Sequence, residues 1–151
     1  TCTGHNMDYS DLYERIGYTF SNPKYLSHAL QRTAFAREQN ISLDETMDYL
    51  AVLGDAVIEI VTIQSIIDSG VTDKGEITRQ KTTKVNMSVL RKLAEDISLP
   101  DFVSWGKGEI NMQIWTVGRA SAECFEALIG AVYSDGGISA ARTVLKNLGF
   151  I

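Results

Sequence analysis

Cysteine is nearly absent from this 151-residue chain. Only Cys2 and Cys124 occur, so no disulfide framework holds the fold, and an intracellular, reducing compartment is expected. Histidine is equally rare: His5 and His28 lie far from the carboxylate-bearing segments described below, which speaks against a histidine–aspartate phosphohydrolase centre acting on small nucleotides. Alternation of strand period is scarce, which disfavours sheet architectures. The longest apolar run is broken by Asp55, Glu59 and Gln64, so no membrane span is expected. The opening residues carry no secretory signal, and residues 1–7 read as a disordered terminus or a cloning remnant. Excess positive charge is missing too. A net charge of −5 does not announce a nucleic-acid binder.

What is present is organised around one helix. From Asp44 to Ser69 there is no proline, and Leu50, Leu53, Val57, Ile60, Val61 and Ile66 spread around the whole helical wheel. Such a helix is expected to be buried and central, with Asp44 as its cap. Yet Asp48, Asp55 and Glu59 fall at spacings of seven and four, so one edge carries three carboxylates. Buried charge is costly unless it is paired or bound to metal.

The other elements also read as helices, and the chain is long enough to bury a core as one all-α domain over residues 8–151. Asp8–Ile16 forms one, stopped by Gly17. Asn22-Pro23 opens another that runs to about Arg37. Gly75-Glu76 begins a basic helix ending near Lys84, and Asn86 or Ser88 begins one reaching Ile97. The connection from Asp101 to Trp115 has no clear structure. A long helix from about Val117 to Tyr133 is ended by Asp135-Gly136-Gly137, and a last one fills Ser139 to Leu148.

Two further groupings bear on chemistry. Between Lys74 and Lys92 six basic residues stand against Glu76 alone, a local charge of +5 that leaves −10 elsewhere. Taken alone this is a solvated helix face; beside carboxylates it suits a phosphodiester polyanion. Glu123 and Glu126 share a helix face at a spacing of three. By themselves they read as surface charges. Small residues around them, Ala122, Ala127 and Gly130, match Ala51, Gly54 and Ala56 in the central helix, so close packing of the two helices would bring Glu123 and Glu126 beside Asp55. Oxygen ligands of this kind suit Mg²⁺ or Mn²⁺.

These residues resemble the catalytic domain of the ribonuclease III family. Its signature N-E-R-L-E-F-L-G-D-A runs in register with Met47-Asp48-Tyr49-Leu50-Ala51-Val52-Leu53-Gly54-Asp55-Ala56, and its D-x-x-E-A-L-I-G with Glu123 to Gly130. Ile16-Gly17-Tyr18-Thr19-Phe20 is similar to the family's L-G-Y-x-F. Leu26 to Thr33 is similar to its L-x-x-A-L-T-H-x-S, with Arg32 where histidine is usual. Gly75-Glu76 followed by Thr78, Arg79 and Lys81 follows its G-D-x-S-x-x-R. The family's four acidic metal positions fall on Ala51, Asp55, Glu123 and Glu126, so one ligand is missing. A non-acidic residue at the Ala51 position, a glutamate at Glu59 and the lack of a double-stranded-RNA-binding domain are features of the mini-ribonuclease III branch.

The resemblance implies a single helical endonuclease domain that hydrolyses double-stranded or structured RNA in the cytoplasm, leaving 5′-phosphate and 3′-hydroxyl ends. Mg²⁺ would be the cofactor, with Mn²⁺ as a substitute. Asp55 and Glu126 would be catalytic and metal-binding, Glu123 a further metal ligand, and Asp48, Glu59 and Glu76 accessory acidic positions. Arg79, Lys81 and Lys84 would grip RNA. A symmetric homodimer is expected around the central helix, with Tyr49, Val52, Trp105 and Trp115 as candidate contacts or plain core residues. The contrasting expectation, carried by Ala51, is a silent dimer that serves as an RNA- or ribosome-binding module.

Overall fold

The computed structural model describes residues 8–151, so the expectation for residues 1–7 lies outside the described residues. Local signals start several helices as expected. Gly17, at φ +71°, ends α1 (Ser10–Ile16). The Asn22 side chain accepts a hydrogen bond from Lys24 N at 3.1 Å, and Pro23 opens α2 (Pro23–Ala29). Asp73 caps α5 (Lys74–Lys84) and Asn86 caps α6 (Met87–Asp96) in the same way, through bonds of 2.9 and 3.1 Å.

Tertiary contacts redraw three boundaries. The helix expected to run to Arg37 divides into α2 and α3 (Thr33–Glu38). Between them Ser104 N donates to Leu30 O at 2.7 Å, Arg32 N donates to Ser104 O at 3.2 Å, and Met47 N donates to Gln31 O at 3.0 Å. These bonds from distant segments replace helical ones and leave Arg32 extended, with φ −74° and ψ 147°. Asp44 does not cap the central helix; it lies in a 3₁₀ turn, Leu43–Glu45, and α4 begins later and runs Asp48–Asp68. The connection from 101 to 115 contains a short helix, α7 (Lys107–Met112), flanked by 3₁₀ turns.

The last two helices expected from the sequence are both present, joined end to end as α8 (Ala120–Asn147). It passes through a kink at Gly137, where φ is +83° and ψ −173°. Asp135, two residues before that break, accepts from Tyr18 Oη at 2.5 Å and from Ser21 N and Asn22 N at 2.8 Å each. It thereby ties the loop before α2 to α8.

The core forms where α8 lies along α4, with α2 and α6 against α8 and α5 against α4. Leu50, Ile58, Phe125, Leu128 and Ile129 are fully buried there. At the crossing the two backbones touch. A Cβ on Gly54 would overlap the Glu126 carbonyl and lie 2.9 Å from Gly130 N; a Cβ on Gly130 would overlap the Leu50 carbonyl. Among the described residues no strand forms, and the one isolated bridge joins Gln31 to Ser104. The domain is all-α.

The central helix is not buried all round. Tyr49, Val52, Ile60 and Ile67 are exposed on it, Val52 by 75%. With Tyr133 and Ile138 of α8, Ile60 also lines an apolar cleft of about 390 Å³. By length and composition alone Leu43–Asp68 suffices to cross a membrane, with mean hydropathy 1.9. Asp55, Glu59 and Gln64 therefore do not exclude a span by themselves; packing on α8 is what makes this helix a core element. Trp105 and Trp115 pack against each other with tilted rings whose centres are 5.3 Å apart, and Trp105 donates to Pro100 O at 3.0 Å, so both are packing residues.

The crossing predicts a sharp contrast among glycines. Gly54→Ala should destabilise the domain by at least about 3 kcal/mol, since backbone atoms have no rotamer with which to yield. Gly108→Ala, with nothing within 4 Å of its added Cβ, should be neutral or stabilising by up to ~1 kcal/mol. Urea midpoints of the two variants check this.

Candidate active site

The glycine crossing brings Asp55 of α4 and Glu126 of α8 within hydrogen-bonding reach of each other. Asp55 is exposed, whereas Glu126 is only 7% exposed. Burial first, then the hydrogen bond and charge of Asp55, then the charge of Glu123, push the Glu126 carboxyl up to about 8; Arg119 works weakly the other way. The acidic neighbours thus disfavour the charged form of Glu126, which a bound cation would relieve. A hard divalent cation with oxygen preference fits that donor pair.

Glu123 is on the same helix face but is engaged elsewhere. Its Oε1 lies 3.6 Å from Arg32 Nη1. Arg32 also donates through Nη2 and Nε to Glu109 Oε2 at 2.7 and 3.1 Å, and its guanidinium lies 5.4 Å from the Trp105 ring centre. Burial opposes the Arg32 charge, but Glu109 and the neighbouring acidic groups outweigh it and raise its pKa. Among the described residues no group of three His, Cys, Asp or Glu side chains converges tightly enough to hold a metal. Ala51, half-buried one turn before Asp55, offers only a methyl group.

The remaining acidic candidates are dispersed. Asp48 is exposed and accepts from Thr33 Oγ1 at 3.1 Å. Glu59 pairs with Lys81 Nζ at 2.6 Å. Glu76 binds Arg79 and Gln80, and the Arg79 hydrogen bond chiefly holds its carboxyl down at about 2. The single acidic edge expected on α4 thus serves three separate partners.

The basic stretch is likewise more neutral than its composition. Arg79 and Lys81 carry the pairs just given, Arg91 pairs with Glu95, and Lys92 pairs with Asp96. Lys74 and Lys84 make no ion pair among the described residues. Cys124 sits beside the site but is buried, which pushes its thiol up to about 12 and leaves it inert.

Three residues of this neighbourhood had no role from the sequence. Arg32 stood out only as a departure from a motif. Glu109 lay in the stretch without expected structure, and Arg119 was hidden at the uncertain start of α8.

Comparison with known proteins locates these residues within a family pattern. The family profile described as ribonuclease-III-like matches residues 22–149. Ribonuclease 3 of Bdellovibrio bacteriovorus is 35% identical over 136 residues, which is 89% of this chain and 58% of that protein. Ribonuclease 3 of Nitrosococcus oceani is 32% identical over 139 residues, 91% of this chain and 56% of that protein. The chain therefore spans somewhat over half the length of these relatives. The nuclease domain of ribonuclease III from Campylobacter jejuni superposes with a TM-score of 0.84 at 25% identity, covering 93% of this chain and 95% of that one. That structure was described for flexibility in a region involved in dimer formation.

The raised Glu126 carboxyl makes a signed prediction. Its ordinary value is 4.5 and its folded value about 8, so between these the folded state binds the extra proton. That contribution to stability is complete below about pH 4.5 and lost as pH rises through 8. Metal-free protein should therefore lose a few kcal/mol, in order of magnitude, between about pH 5 and pH 9. Glu126→Gln should flatten this limb, as read by thermal unfolding at a series of pH values in chelator.

Proposed function

The chain belongs to the ribonuclease-III-like family, and from that premise we propose that it is a divalent-metal-dependent endoribonuclease acting on double-stranded RNA in cytoplasmic RNA processing. The observation that carries the reading is the Asp55–Glu126 pair, one carboxyl exposed and the other buried at a backbone-to-backbone crossing. When bound, Mg²⁺, or Mn²⁺ in its place, supplies an activated water and stabilises charge on the leaving oxygen. Asp55 and Glu126 hold the ion, and the rigid crossing fixes their separation. Cleavage breaks the bond from phosphorus to the 3′ oxygen as water adds to phosphorus, leaving a 5′-phosphate and a 3′-hydroxyl. Glu123 is expected in the same set, but Arg32 engages it in this chain.

Duplex RNA is held through its phosphates and shape rather than its base sequence. Lys84 makes no ion pair among the described residues, while Arg79 and Lys81 exchange their pairs with Glu76 and Glu59 for phosphate. Partly exposed pairs of this kind contribute only ~0–1 kcal/mol, so the exchange costs little. Two subunits meet through the exposed apolar face of α4, where Tyr49, Val52 and Ile60 lie beside the cleft containing Tyr133 and Ile138. Such a face suits an isologous interface. A second reading, a silent dimer that binds RNA or a ribosome, is favoured by Ala51 and by the diversion of Glu123.

Incubation with a long RNA duplex separates the two. Cleavage should require Mg²⁺, and Glu126→Gln should abolish it while leaving duplex binding within about threefold; binding without cleavage by the parent supports the silent reading. Ala51→Glu should lower the Mg²⁺ concentration for half-maximal cleavage, because it restores an anionic oxygen one turn from Asp55. An unchanged metal requirement in a normally stable variant counts against that position as a ligand site.

The interface has its own test. Sedimentation at micromolar concentration should give about twice the 16.7 kDa chain mass. Val52→Asp, on a side chain that is 75% exposed, should shift the protein to monomer with little change in the monomer's helicity. A parent that sediments as a monomer overturns the proposed isologous dimer.

A further inference from the structure

Arg32 is held from several sides. The bonds between Arg32 N and Ser104 O, and between Ser104 N and Leu30 O, pin its backbone outside any helix. Its guanidinium lies over Trp105, with 15% of the side chain exposed. Glu109 Oε2 takes both the Nε and Nη2 edges, and Glu109 is itself held by Gly106 N, which donates to its Oε1 at 3.1 Å. Nη1 lies 3.6 Å from the Met47 sulfur and 3.6 Å from Glu123 Oε1, and the buried Cys124 thiol also lies against the guanidinium. A fixed cation is thus aimed at one carboxylate of the active site. In this partly buried setting the attraction is screened less than it would be in water.

We propose that Arg32 acts as a built-in cation that claims Glu123, so that Asp55 and Glu126 alone are open to a divalent ion and Glu123 becomes a metal ligand only when Arg32 is removed. Arg32 is a positioning residue: it touches neither the ion nor the RNA and acts through Glu123. The proposal rests on the reading of Asp55 and Glu126 as the cation-holding pair. It accounts for the absence of a three-carboxylate group despite three acidic residues on adjoining faces of α4 and α8. Together with Ala51 it leaves the site two carboxylates short of the four-acid pattern. Lysine would be a poor replacement, because the planar fork satisfies Glu109 on one edge while presenting the other to Glu123.

Mn²⁺ binding, followed by calorimetry and by the paramagnetic resonance of the free ion, tests this without reference to cleavage. The variants are Glu123→Gln, Arg32→Met and the double substitution, closing a cycle. In the parent background Glu123→Gln should change Kd by less than about threefold; in the Arg32→Met background it should weaken binding by about tenfold. Equal effects of Glu123→Gln in the two backgrounds overturn the proposal, as does a loss of threefold or more in the parent. Should Arg32→Met fail to fold, as judged by circular dichroism, Arg32→Gln replaces it in the cycle, and the parent measurement decides in either case. Glu126→Gln is the control for the underlying reading. If it binds Mn²⁺ as tightly as the parent, the carboxylate pair is not the cation site and both ideas fall; if it loses binding while the cycle shows no coupling, only the role of Arg32 is wrong.

Discussion

The contact between the backbones of α4 and α8 is the constraint on which the molecule depends. Gly54 and Gly130 face each other with no room for a Cβ on either. Helix pairs usually stand 8–10 Å apart because side chains separate them; here that spacer is missing. The consequence runs directly into chemistry. Asp55 follows Gly54 and Glu126 precedes Gly130 by one turn, so the closest point of the fold is also where two carboxyl groups meet. Glu126 is buried by the packing that stabilises the domain, and the same burial raises its pKa.

The charges of the protein divide by environment rather than by type. Glu76 and Glu126 are both glutamates near an arginine, yet one is held down at about 2 and the other pushed up to about 8. Glu76 lies on α5 and receives hydrogen bonds from Arg79 and Gln80. Glu126 faces another carboxyl group from within the core, and only Arg119 relieves it. Arg32 and Glu109 form a third environment, a charge pair with stacking on Trp105, from which only one edge reaches the site. Composition had suggested a basic face. In the fold four of those six cations carry local partners, so attraction for a polyanion depends on exchanging weak pairs.

The exposed apolar side of α4 is the other consequence of a helix that is hydrophobic all round. One side packs on α8 and becomes core. The other leaves Tyr49, Val52 and Ile60 in solvent, with a cleft alongside. Water does not favour such a surface. Hydropathy alone cannot separate a membrane helix from a core helix with a free face, and the partner helix makes the difference.

Much of the architecture was legible in order along the chain, because it depends on local chemistry. Caps and breakers such as Asn22-Pro23, Asn86 and Gly17 act within a few residues, and the helices begin or end where they stand. The small residues flanking Asp55 and Glu126 disclosed the close packing of their helices, and with it the pairing of those two carboxyl groups. Long-range hydrogen bonds decided the rest. The break at Leu30–Arg32 exists because Ser104 and Met47 bond there, and no local signal in Gln31 or Arg32 announces it. The helix break at Gly137 falls where Asp135-Gly136-Gly137 places a stop, but nothing local shows that Asp135 is also committed to Tyr18 and the loop before α2. Residue types and spacings therefore determined which acids were available and which helices carried them. Only the folded chain decided that Glu126 is buried against Asp55 while Glu123 is turned to Arg32, since burial and ion pairing depend on neighbours far away in sequence.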